Sequence, residues 1–151
     1  LINARAETLL DKPSFRRAAV SKRCVIPAEG FFEWKKSEGR KQPMRIVTHE
    51  RLFVMAGLYE QWISPEGEKI FTCTIITTNA NSFMSGLHHR MPVILERDQL
   101  ESWLTAPLPE AMELLQPYNS SLMDAYPVTT SVGKVTYNQT DCIVPLTESN
   151  N

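Results

Sequence analysis

Cysteine is scarce in this sequence, and the three present, Cys24, Cys73 and Cys142, form an odd set without C-x-x-C spacing. Neither a disulfide framework nor a zinc site is signalled, so three reduced and mostly buried thiols are expected. Histidine is equally sparse. His49, His88 and His89 lack ligand partners at metal-binding spacing, and no metal or other cofactor is expected. Long apolar runs are missing too: none approaches the roughly 20 residues that a membrane span requires. The first residues carry neither a basic nor an apolar leader pattern. The expectation is a cytoplasmic protein with no membrane partner. Internal repeats and low-complexity segments are absent, and so is the strand–helix alternation that builds a doubly wound parallel sheet.

What is present is an ordinary globular composition of 151 residues, 42% hydrophobic and 22% charged. That is enough for one domain with a real core, expected over residues 1–146 with a flexible tail at 147–151. The net charge of −1 conceals an asymmetry: residues 1–45 hold 11 Lys/Arg against 5 Asp/Glu, whereas residues 46–151 hold 5 against 12. A basic first third interleaved with aromatics attracts nucleic-acid phosphates, although a solvated basic face has the same composition.

Strand signals outnumber helix signals. Lys69–Thr78, rich in β-branched residues, is the clearest strand. Cys24–Pro27, Gly30–Lys36, Pro43–Thr48, Met91–Leu95, Leu122–Val128 and Thr140–Pro145 also read as strands. Pro13 suits the first turn of a helix through Lys22, and Pro109 opens another to Leu115. Asn79 or Asn81 is placed to cap a short helix ending at Leu87, and Asp98-x-x-Glu101 has capping-box spacing. The predicted fold class is α+β: a mostly antiparallel, curled or barrel-like sheet with a few short helices.

Four features stand out as chemistry. In the stretch Arg23–Trp34, a strand over Gly30–Lys36 puts Phe31 and Glu33 on one face and Phe32 and Trp34 on the other. A carboxyl desolvated among rings has its pKa raised and is prepared for acid–base work near neutral pH. An ion pair with a nearby Arg, or a solvent-facing strand edge, accounts for the same residue equally. Asn3 and Arg5 occupy alternate positions of an extended start, and Thr77 ends a strand lined with hydroxyls. His88-His89-Arg90-Met91-Pro92 is either a proton-handling site or a loop with one satisfied imidazole.

In their order along the chain, the segments Asn3 to Thr8 (Asn-Ala-Arg-x-Glu-Thr), Arg23 to Trp34 (Arg-Cys-x-x-Pro-Ala-x-Gly-Phe-x-Glu-Trp) and His88 to Pro92 (His-x-Arg-x-Pro) are distinctive. They resemble the hallmarks of the SRAP family, the SOS response-associated peptidase or abasic-site-processing proteins. Val132–Val135 and Asn138 resemble that family's C-terminal stretch. The resemblance implies a protein that recognises abasic sites in single-stranded DNA and links to them covalently; a monomer is expected. The family's nucleophile is an N-terminal Cys, whose α-amine attacks the opened aldehyde and whose thiol closes a thiazolidine. The sequence starts at Leu1, inside the first motif, so it reads as a fragment or processed chain without that Cys. By resemblance, Glu33 is the acid–base carboxyl, His88 a second proton-handling group, and Asn3 a hydrogen-bonding holder of the reacting centre. Arg5 and Arg90 are assigned to DNA phosphates, Thr77 to a hydroxyl contact and Trp34 to a base-stacking platform. Lyase activity by β-elimination and self-processing peptidase activity are implied as accompaniments. Two rival readings are a cysteine peptidase pairing Cys24 with His88 and a non-catalytic single-stranded DNA-binding module.

Overall fold

A computed structural model describes residues 2–147. In chain order its strands are β1 (Ile2–Arg5), β2 (Arg23–Ala28), β3 (Phe31–Ser37), β4 (Arg40–Thr48), β5 (Phe53–Ile63), β6 (Lys69–Asn79), β7 (Arg90–Pro92), β8 (Ile94–Leu95) and β9 (Met123–Pro127). The α-helices are α1 (Pro13–Ser21), α2 (Leu100–Thr105) and α3 (Leu108–Glu113). The class is α+β and mostly antiparallel, as the sequence signals anticipate. The strands divide between two sheets, and the chain between two compact units, each built from non-contiguous segments.

The first unit comprises Leu1–Ala28, Phe53–Asn79 and Arg90–Tyr118. Its sheet runs β1-β6-β5-β2, with β1 parallel to β6 and the other pairs antiparallel. β5 and β6 pair from Ile63↔Lys69 only as far as Gly57↔Ile75. Beyond that point they part, and the segment Arg90–Leu95 fills the fork: β7 pairs with β6, and β8 with β5. Val93 sits at the crotch, its N–H donating to Ile76 O and its carbonyl accepting from Ala56 N, each at 2.9 Å. One continuous strand over Met91–Leu95 is therefore replaced by two short ones, because the segment changes partners at Val93. Gly57 is required here by close approach. A Cβ on it would lie 2.6 Å from Ile26 Cδ1 and 2.9 Å from the Thr74 carbonyl oxygen.

The core of this unit gathers Leu9, Ala18, Ala19, Leu58, Ile76, Val93, Leu95 and Trp103. α1 starts with Pro13 at its first turn, where the missing N–H costs nothing, and turns Ala18 and Ala19 inward. Trp103, fully buried, satisfies its indole N–H on the Cys24 carbonyl at 2.8 Å. Arg23 donates to the carbonyls of Ala19, Trp103 and Ala106, joining carbonyls late in α1 and α2 to β2. The capping box falls two residues before its expected place: Glu96 is the cap, and its backbone N–H donates to the Gln99 side chain at 3.0 Å.

The second unit comprises Glu29–Leu52, Ala80–His89 and Asn119–Asn151. Its sheet is an antiparallel meander in the order β3-β4-β9. The β3–β4 hairpin closes through Glu38-Gly39, both with positive φ (50° and 77°), as a twist-matched two-residue turn demands. Ile46, Met84 and Val128 are fully buried. The helix expected up to Leu87 shrinks to a 3₁₀ turn at Met84–Gly86, with Asn81 Oδ1 accepting the Met84 N–H at 2.8 Å. Thr140–Pro145 is not a closing strand. Cys142 N–H bonds Gln139 O and Val144 N–H bonds Asp141 O, so the backbone spends its donors locally in a 3₁₀ turn at Thr140–Ile143. Most of the expected tail, residues 148–151, lies outside the described residues.

Substituting Gly57→Ala should lower stability by about 1–3 kcal/mol through overpacking between β2 and β6. The urea midpoint should fall with an unchanged m-value; an unchanged midpoint would mean that the strands part freely at this point.

Candidate active site

Glu33 lies in the middle of β3, opposite Met44 on β4. β3 is the outer strand of its sheet, so groups standing beside that edge can approach either face. His88 does so: its Nε2 is 4.0 Å from a Glu33 carboxylate oxygen. That is beyond hydrogen-bond length. The Glu33 side chain keeps 23% of its exposure. Burial pushes its carboxyl above the ordinary carboxylate range, with the His88 imidazole pulling in the opposite direction.

His88 is positioned by its backbone and its neighbour. Its N–H donates to Met84 O at 2.8 Å, and its ring stacks on His89 with centroids 4.5 Å apart. Trp34, partly exposed, faces the opposite side of β3 from Glu33 and helps wall a cavity of about 350 Å³ with Lys36, Leu87, His88 and His89. This set, Glu33, Trp34 and His88, belongs to the second unit.

Asn3, Arg5, Thr77 and Arg90 belong to the first. The parallel register places Arg5 beside Thr77 and Asn3 beside Ile75. Strand alternation leaves Asn3 and Arg5 exposed around buried Ala4. Arg90 is clamped. Its Nη1 donates to Glu7 Oε1 and Asn79 Oδ1, and its Nη2 to Glu7 Oε2, Thr77 O and Thr77 Oγ1, all between 2.9 and 3.1 Å. Only 12% of its side chain is exposed, against 66% for Arg5. Of the two arginines assigned to phosphates, Arg5 presents its guanidinium to solvent, whereas Arg90 spends its fork on Glu7. The same bonds from Arg90 hold the Glu7 carboxyl below the ordinary carboxylate range.

Sequence reasoning assigned no site role to Glu7 or His89, and read Asn79 only as a candidate helix cap. Glu7 had a signal, its place two residues after Arg5 in the first motif, but a 3₁₀ turn at Ala6–Thr8 rather than continued strand carries it to Arg90. The three cysteines are half-buried. Burial, and then Cys73 beside it, pushes the Cys24 thiol up to about 11.

A family description, SOS response associated peptidase (SRAP), matches residues 1–135. The chain is 49% identical over 148 residues to the abasic site processing protein YoqW of Bacillus subtilis (strain 168), covering 95% of this chain and 66% of YoqW. It is 36% identical over 169 residues to the abasic site processing protein HMCES of Gallus gallus, covering 95% of this chain and 50% of that protein. Its fold is similar to that of a crystal structure from Bacteroides thetaiotaomicron, with a TM-score of 0.89 at 37% identity over 96% of this chain and 66% of the other. The chain thus spans slightly under two thirds of the bacterial relative's length and half of the avian one's.

Because the folded state holds the Glu33 proton more tightly than the unfolded chain does, Glu33 adds stability below the ordinary carboxylate pKa. That contribution is lost as pH rises through the raised value. Glu33→Gln should therefore flatten the fall in melting temperature over this window; parallel profiles for the two proteins would show a solvated carboxylate.

Proposed function

The chain belongs to the SRAP family, and on that premise we propose that it recognises abasic sites in single-stranded DNA, with Glu33 and His88 handling protons in a covalent step. The observation that carries this reading is the Glu33–His88 pair: a carboxyl whose pKa is raised by burial, 4.0 Å from an imidazole. A carboxyl shifted in this direction is more readily protonated than an ordinary one, which suits a group that must give as well as take a proton.

The proposed chemistry needs that ability three times. An abasic deoxyribose must open to its aldehyde, which moves a proton to the ring oxygen. An amine then adds to the aldehyde carbon, and the carbinolamine hydroxyl leaves as water once protonated. A thiol finally adds to the imine carbon while the nitrogen regains a proton, closing the thiazolidine. In this reading the amine and thiol belong to an N-terminal Cys, as the family resemblance implies. Cys24 is a poor substitute, because a thiol pushed up to about 11 is almost wholly protonated at neutral pH. This also weighs against the peptidase reading. Lyase activity would follow from β-elimination at the same imine.

Asn3 is proposed to hydrogen-bond the opened sugar, Arg5 to contact a phosphate and Trp34 to stack on a base. Arg90 and Thr77 are proposed to act with Glu7 as a frame for β1, a phosphate reaching Arg90 only by displacing the Glu7 carboxylate.

Single-stranded DNA with one abasic site, incubated with residues 1–151 and with a chain extended upstream to begin at a Cys, should shift on a denaturing gel only with the extended chain. In that chain Glu33→Gln should slow cross-linking about 10²-fold or more while sparing DNA affinity. Equal loss of affinity and cross-linking would make Glu33 structural and overturn the reading. Arg5→Ala should reduce the slope of log affinity against log salt by about 1; an unchanged slope would remove Arg5 from the phosphate contacts.

A further inference from the structure

From Lys35 to Lys41 the β3–β4 hairpin carries four cations, Lys35, Lys36, Arg40 and Lys41, against one carboxylate, Glu38. All five are exposed. Register and strand alternation sort the cations: Lys36 and Lys41 stand directly opposite each other on the face of Phe32 and Trp34, whereas Lys35 and Arg40 share the other face with Glu33. Like charges directly opposite across a strand pair destabilise it.

The hairpin offers this pair no relief. Among the described residues neither Lys36 nor Lys41 enters an ion pair. β3 and β4 place no carboxylate on this face, and Asp124 of β9, opposite Val47 at its far end, is paired with His49 at 3.4 Å. Arg45, on the same face, is already spent on the Tyr126 hydroxyl and the Glu29 carbonyl, at 2.7 and 3.0 Å. Lys36 and Lys41 are thus an uncompensated positive pair set side by side by the register.

What lies beside the pair narrows the ligand class. Trp34 precedes Lys36 by two residues on the same face, roughly 7 Å along the strand. Trp34 and Lys36 also line the cavity of about 350 Å³ with His88 and His89, and among the described residues no acid joins that lining. An aromatic platform next to paired cations fits a base and its phosphate, the two parts that every nucleotide presents. Lysine is a point charge rather than a fork, so such a contact positions a strand without reading its sequence. All of these residues belong to the second unit.

We propose that Lys36 and Lys41 together hold one phosphate of the DNA strand, which then runs along the β3–β4 hairpin on the Trp34 face. The assignment deepens the function proposed above and rests on it.

Two double variants of residues 1–151, Lys36→Gln/Lys41→Gln and Lys35→Gln/Arg40→Gln, remove the same charge from opposite faces of one hairpin at exposed positions. Affinity for single-stranded DNA is measured across a salt series for each and for the unaltered chain. The first variant should reduce the slope of log affinity against log salt by about 0.7, the value for one phosphate on a single strand, and the second should leave it unchanged. Equal reductions in both, or none in the first, would overturn the phosphate site and leave the proposed function standing. Should the unaltered chain bind no DNA, sodium pyrophosphate separates the two readings. A melting temperature raised above that in sodium chloride of equal ionic strength, and no longer raised in the first variant, would overturn the DNA reading and keep the pair as a site for a free phosphate anion. No rise would overturn both.

Discussion

A buried backbone group must find a hydrogen-bonding partner, and the first unit is arranged around the place where that demand is hardest to meet. β5 and β6 separate beyond Gly57, exposing the inner edges of both strands to the core. The segment Arg90–Leu95 answers both edges, serving β6 first and β5 afterwards, with fully buried Val93 bonded to each. This wedge fixes where the third motif lies. Arg90 opens it and is fastened to Glu7, Asn79 and Thr77, so the turn after β1 is held to β6 and β7 by a single guanidinium.

Two glutamates show how environment divides identical side chains into different jobs. Glu7 takes two charge-assisted bonds from Arg90, and its carboxyl is held low. Glu33 is desolvated beside an imidazole 4.0 Å away, and its carboxyl is pushed up. Arginine divides likewise. Arg23 and Arg90 bind carbonyls or carboxylate internally, whereas Arg5 keeps its fork in solvent.

In the second unit the placement of the Glu33–His88 pair on an outer strand has a physical logic. An edge leaves one side of β3 open for a loop to approach, and His88 arrives there from a 3₁₀ turn rather than from a neighbouring strand. Loops carried on a rigid sheet combine precise placement with access for ligand.

The sequence by itself determined what depends on local pattern. β-branched runs and Pro13 at a helix start place β2, β3, β6, β9 and α1 within a residue or two of where they occur, because strand propensity and helix-start chemistry act over a few residues. The three motifs also sufficed for the SRAP resemblance, and the aromatic setting of Glu33 for its raised pKa. Tertiary structure decided the rest. The change of partner at Val93, the spending of donors within Thr140–Ile143 and the division of the strands into two sheets depend on pairings between residues distant in sequence. So does the fate of Arg90: its role turns on Glu7, 83 positions away, and an ion pair between such distant residues exists only once the turn and the strand that carry them have met.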